Sequence, residues 1–466
     1  MKKLFYLIAL SGLITMSCRK IEVDGGSTTT PVTPPVGGTT ENTILEGRIT
    51  ANRTLKADFT YKLRGLVYVT NGAILTIEPG TKIVGELNKQ GGLVITRSAK
   101  IIADGTADKP IVFTSEAATP ARGDWSGVVI LGNAPTNSSF NGVQGVGEIE
   151  GGVNNSDGLG LYGTPITQNQ NPVDNSGILR YVRIEYAGYA FLPDKEINGL
   201  TMGGVGSGTI IDYVQVSYAN DDSFEWFGGT VNCKHLISYR TLDDDFDTDN
   251  GFNGKIQFGI SLRDSSIADI SKSEAFESDN DANGSTITPQ TKVIFSNMTI
   301  VGPRATLNNI GNSLFLAGAQ IRRYSAMNLF NSIIMGWPQG VLIDASKGTP
   351  TDNNIPASLL IQNTIVAGCN TPVKYSPSPT TPTGATDASI LAWFNTPAYG
   401  NSILTNSSDV MLAAPFNYAT PDFTPAAGSP ALSGASFANT GSGFTSVAYR
   451  GAVGPADTWF KGWTKY

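Results

Sequence analysis

The chain has 466 residues, of which 40% are hydrophobic and 15% charged, with 53 glycines and a formal net charge of −7. So few charges leave too little Glu, Lys and Arg for long amphipathic helices, and the composition suits short strands joined by tight turns. The acidity argues against nucleic acid as a partner and against anionic membrane surfaces.

Residues 1–17 read as an export signal. Lys2 and Lys3 make a positive start, a mostly apolar run from Leu4 to Ile14 follows, and then comes Thr15-Met16-Ser17-Cys18. The run is too short to span a bilayer. A Cys after a small residue resembles the lipobox of bacterial lipoproteins, with Thr15 where Leu is usual, so Cys18 is expected to carry the acyl group that anchors the chain to a membrane. Residues 18–42 contain Gly-Gly-Ser-Thr-Thr-Thr-Pro-Val-Thr-Pro-Pro-Val-Gly-Gly, the composition of an extended tether. Of the remaining cysteines, Cys233 and Cys369 lie far apart and read as buried free thiols, a disulfide being allowed but not implied.

Residues 43–410 repeat. Leu66-Val67-Tyr68-Val69-Thr70-Asn71-Gly72-Ala73 has the pattern of Leu93-Val94-Ile95-Thr96-Arg97-Ser98-Ala99. Val182-Arg183-Ile184-Glu185-Tyr186 matches Val214 to Tyr218, and His235-Leu236-Ile237-Ser238-Tyr239 aligns with both. Later, Phe295-Ser296-Asn297, Phe330-Asn331 and Ile361-Gln362-Asn363 each precede an Ile/Val-rich run and a glycine. A period of roughly 21 to 34 residues built on β-branched runs predicts an all-β, right-handed, single-stranded parallel β-helix with three short strands per coil. Leucine-rich repeats would need a Leu skeleton that is absent, and a propeller longer, more uniform units. Loops are expected at 141–177 and 373–400, and such loops shape the binding face of a solenoid. Residues 411–466, with Trp459 and Trp463, are expected to cap the last coil.

Leu75-Thr76-Ile77-Glu78-Pro79-Gly80-Thr81, Gly105-Thr106-Ala107-Asp108-Lys109-Pro110-Ile111-Val112-Phe113-Thr114-Ser115 and Gly123-Asp124-Trp125-Ser126-Gly127 resemble the opening coils of bacterial surface β-helix proteins. The closing Tyr449-Arg450-Gly451-Ala452, Trp459 and Gly462-Trp463 are similar to the end of β-helix lipoproteins of the Bacteroidota. The resemblance spans nearly the whole mature chain. It implies the fold and a lipid-anchored place at the outer membrane, on either face, but no particular activity. The wider pectin-lyase-like superfamily implies polysaccharide substrates only by analogy of fold.

One constellation carries chemistry. Phe224-Glu225-Trp226-Phe227, Phe246-Asp247-Thr248-Asp249 and Phe276-Glu277-Ser278-Asp279 fall at coil spacing. With the leading Phe residues inward, strand alternation sends Glu225, Asp247 and Glu277 outward, and Asp249 and Asp279 onto the same face. The preceding turns add Asp221, Asp222, Asp243, Asp244 and Asp245. Stacked like charges repel, so three readings stand: Ca²⁺ held by these ten carboxylates, a solvated acidic face balanced by Lys234, Arg240 and Arg263, or catalytic carboxylates. Calcium is the expectation, giving a non-catalytic surface protein that binds a polysaccharide or a partner protein. The alternative is a Ca-dependent polysaccharide lyase or a glycoside hydrolase, with Asp244 and Arg240 as the candidate catalytic pair. A third reading is a stalk or transporter accessory. His235 is the single histidine, which excludes His-rich zinc sites and any Ser-His-Asp triad not built on it. Phe227 and Trp337 are the candidate stacking platforms for sugar.

Overall fold

The computed structural model describes residues 41–466 apart from 193, 194 and 310. Cys18 and all of the tether but Glu41 and Asn42 therefore lie outside the described residues. Among those described, no helix is long and apolar enough to cross a membrane.

Each coil is laid down as three short strands. In one of them, Gly177–Glu185 runs along a first face, bends at Tyr181 and continues along a second; Leu200–Gly203 then forms the third. The next coil repeats this as Ile210–Ser217, bent at Tyr213, and Phe224–Phe227. Every ladder in the resulting 26-stranded sheet is parallel. The chain is thus a parallel β-helix, and the right-handed sense expected of it is the one that crossovers between parallel strands adopt. Apolar residues alternating along each strand fill the bore: Val128, Leu200, Phe224, Phe246 and Phe276 lie in line on the third face and are fully buried.

The corner between the first and second faces needs one residue per coil with φ in the left-handed region. Tyr181, Tyr213, His235, Phe258, Asn297, Asn331 and Asn363 occupy it, with φ between 49° and 63°. Asn tolerates this conformation, whereas the aromatic residues are strained there. Stacking compensates, with ring centroids 4.4 Å apart for Tyr181–Tyr213, 4.2 Å for Tyr213–His235 and 5.2 Å for His235–Phe258. His235 is therefore a corner residue stacked on Tyr213 and bonded to Asp212 at 2.7 Å. The sequence alignment had placed it one position off, since Val214 pairs with Leu236.

The two expected loops are more than loops. Where a loop was expected at 141–177, residues 139–163 form the hairpins Ser139–Phe140 with Val143–Gln144 and Val146–Glu148 with Leu161–Gly163. Tyr162, Ile149 and Val153 pack this flap onto the outside of the third face, against Val129, Leu131 and Phe227. Within 373–400, Asp387–Phe394 is an α-helix started by a capping box between Thr386 and Ser389, and its Ile390 and Phe394 join the main core. This helix packs on Thr371–Ser376, the last strand of the third face, and closes the bore.

The expectation for 411–466 is corrected accordingly. After the hairpin Leu412–Ala414 with Asp422–Pro425, the segment packs on the outside of the last coil, beside Ile365, Ala367 and Leu404, and runs back along the flank. Ser436 N–H donates to Asn331 at 2.8 Å, Thr445 N–H to Gln257 at 2.8 Å and Lys465 N–H to Gln215 at 2.9 Å. Trp459 and Trp463 lie edge-on against the corner stack. Amides on outward-facing strand positions supply partners for an irregular backbone that has no ladder of its own. Cys233 and Cys369 are both buried and free.

Candidate acidic cation site

The site grows out of the phenylalanine column. Phe224, Phe246 and Phe276 stack with centroids 5.6 Å apart at each step, which fixes register across three coils. Alternation turns the following residue outward, so Glu225 pairs with Asp247 and Asp247 with Glu277. Two positions before each Phe stand Asp222, Asp244 and Glu274, and the backbone ladder continues through these turns to give a second acidic column. Asp221 and Asp243 from the turns, Asp269 and Ser271 from the next loop, and Glu150 from the flap complete a cleft of about 430 Å³.

Burial is the dominant influence on these carboxyls, and neighbouring negative charge adds to it. Together they push Asp222, Glu225, Asp243 and Asp247 well above the usual carboxylate range. Glu274, buried beside Asp244 and Asp243, is also pushed well above it. For Asp244 burial is again the largest cause, but the Glu274 N–H donating at 2.6 Å and nearby Arg263 restrain it, leaving it at about 6.

Some of the carboxylates are satisfied by the protein. Asp222 Oδ1 accepts from Asp244 N–H at 2.8 Å, Asn198 donates to Glu225, and Asp243 Oδ2 accepts from the Ser271 hydroxyl at 3.0 Å. The buried Oδ1 of Asp247 accepts nothing, and the same holds for Oδ1 of Asp243. Orphaned buried carboxylate oxygens are costly unless a cation meets them. The donor set fits one. In each of three trios, Asp221/Asp222/Asp243, Asp222/Glu225/Asp247 and Asp244/Glu274/Glu277, one oxygen per residue lies within 4.8 Å of the others. A hard cation that draws its oxygens to 2.3–2.6 Å matches that span.

Not every residue expected at the site belongs to it. Asp245 points into the bore, where Ser238 and Ser261 donate to it and Arg263 lies 3.4 Å away, both side chains fully buried. In that turn Asp245 and Phe246 are both buried in the bore, so strict alternation starts only at the Phe. Asp249 and Asp279 continue the Phe227 column and lie outside all three trios. Asp279 is instead clamped by Arg322 at 2.9 Å and Arg323 at 2.6 Å. Arg240, the candidate base, pairs with Asp264 and sits over the rings of Tyr218 and Tyr418, 5.4 Å and 5.0 Å from their centroids. Its hydrogen bonds to Asp264 and Tyr239 hold its pKa above the ordinary arginine value even though burial acts the other way. It does not line the cleft.

The stacking platforms fail for a simple reason: neither is exposed. Phe227 is covered by the flap, 6.1 Å from the Tyr162 ring, and Trp337 is fully buried against Phe315. Nor do the expected counter-charges line the cleft. Lys234 bonds Thr445, Arg240 serves Asp264 and Arg263 serves Asp245. The cation that does reach the edge is Arg322, paired with Glu277. It sits one coil beyond the last Phe and gave no signal in the sequence. Glu274 was legible, since it precedes Phe276 by the same two positions that separate Asp222 and Asp244 from theirs.

Neither the curated proteins nor the solved structures contain a match to this chain. The family model described as a pectate-lyase-like beta helix domain matches residues 47–392, well over half of the sequence, and the chain belongs to that family.

Proposed function

We propose that this is an outer-membrane lipoprotein of Bacteroidota type, anchored through Cys18, whose third face binds calcium and uses it to hold a surface glycan without cleaving it. The observation that carries the reading is the orphaned Oδ1 of Asp247, buried in a cleft lined by nine carboxylates. None of the residues lining that cleft is Lys, Arg or His. Calcium bound there would supply positive charge for an anionic or hydroxyl-rich ligand, while the chain's own residues fix its position and exclude water from its inner side.

The cleft is poorly built for cleavage. A lyase needs a basic side chain to take the α-proton. No Lys or Arg lines the cleft to do so. At the rim, Ile270 is 86% exposed and offers an apolar contact to whatever docks.

The test is a glycan-array screen of the mature protein, run with calcium and again with EDTA. Calcium-dependent capture is expected, with no unsaturated uronate and no new reducing ends among the captured polymers. Turnover in either form would replace this reading with an enzyme. The anchor is checked separately: Cys18→Ala shifts the protein from the membrane fraction to the soluble one, and an unchanged distribution would remove the lipoprotein assignment.

A further inference from the structure

We infer that the cleft is built for two cations rather than one, bridged by the carboxylate of Asp222. The inference rests on the cation reading above and sharpens it. Asp222 belongs to two of the trios at once, with Asp221 and Asp243 on one side and Glu225 and Asp247 on the other. Each side contains its own buried oxygen without a donor, Asp243 Oδ1 in the first and Asp247 Oδ1 in the second. Asp243 and Asp247 share no trio, so the two oxygens are assigned to two positions, each open to a cation that holds its ligands at about 2.3–2.6 Å.

Charge leads to the same count. Asp222, Glu225, Asp243 and Asp247 have no ion-pair partner among the described residues, and Asp221 stands beside them in the first trio. One divalent ion leaves Asp222, Glu225, Asp243 and Asp247 with a net negative charge in a partly desolvated cleft, whereas two balance these four carboxylates. Asp222 suits the shared position because it is 7% exposed and its orientation is fixed. Its own N–H donates to Asn198 at 3.2 Å, and its Oδ1 accepts from Asp244 N–H at 2.8 Å, which leaves Oδ2 and a second lone pair on Oδ1 for metal. The third trio, Asp244/Glu274/Glu277, already has Arg322 at Glu277.

Equilibrium dialysis of the mature protein against calcium, followed by elemental analysis, counts the ions per chain. The expected result is two. Asp247→Asn and Asp243→Asn each leave one, because each spoils a single trio. Asp222→Asn leaves none at a calcium concentration that saturates the unaltered protein, since both sites lose a ligand. Replacing a crowded carboxylate by its neutral isostere relieves repulsion in the cation-free state, so these variants fold, as circular dichroism verifies. One ion bound by the unaltered chain, or one retained by Asp222→Asn, overturns the bridge while leaving a calcium site in place. No ion bound at all overturns the cation reading itself.

Discussion

Chelating divalent cations lowers the melting temperature of the mature protein, and lowers it further at pH 8 than at pH 5. Without a cation, Asp222, Glu225, Asp243, Asp247 and Glu274 hold their protons to a higher pH in the folded chain than in the unfolded one. A folded-state pKa raised in this way contributes stability that is complete below the ordinary carboxylate pKa. It is lost as pH climbs through that range to about 6, where Asp244 titrates, and beyond. The cation-free protein is therefore most stable in mild acid and weakens toward neutrality. On the proposed reading calcium reverses the trend, because it would bind the ionised carboxylates that only the folded chain brings together. At a free concentration a hundred times its Kd it adds about 2.7 kcal/mol. Thermal melts at both pH values, with and without EDTA, read this directly, and a chelated protein equally stable at pH 5 and pH 8 contradicts it.

Arg263→Met destabilises the fold by about 3–5 kcal/mol, because it strands a buried charge. Arg263 and Asp245 are fully buried in the bore, 3.4 Å apart, and Arg263 also donates to the backbone carbonyls of Leu242 and Asp243. With the guanidinium gone, Asp245 keeps only the hydroxyls of Ser238 and Ser261. Burial already pushes its pKa up to about 6 with Arg263 in place, so in the variant it rises further and the damage grows with pH. The double change Asp245→Asn with Arg263→Met removes both charges and recovers much of the loss. Urea unfolding of the three proteins separates these outcomes; a single variant no weaker than the double one means that the pair does not act as a unit.

The contrast between Asp245 and Asp247 shows how far the sequence could be read. Glu225, Asp247 and Glu277 were legible as a column because each follows a Phe, and a large apolar residue at coil spacing sets both register and facing. Asp243-Asp244-Asp245 carries no such anchor. It lies in a turn, where side-chain direction depends on backbone torsion rather than on a period of two, and one of the three points inward. Phe227 and Trp337 misled for another reason. Phe227 was read correctly as outward, but a flap contributed from elsewhere in the chain covers it, whereas Trp337, read as peripheral at its turn, belongs to the main core. The flank-binding tail was hidden in the same way, since its contacts join Lys465 to Gln215 and Thr445 to Gln257 across long stretches of sequence. Short-range pattern fixed the coil, and long-range docking fixed what covers it.

The central claim is that the carboxylates of the third face are arranged for a cation, and calorimetric titration of the mature protein with calcium chloride tests it most directly. Saturable binding is predicted, with the site that contains Asp247 weakened at least tenfold by Asp247→Asn and the whole isotherm unchanged by Asp249→Asn, whose carboxylate lies outside the trios. Heats no larger than dilution, or equal binding by the Asp247 variant and the unaltered chain, would contradict the account.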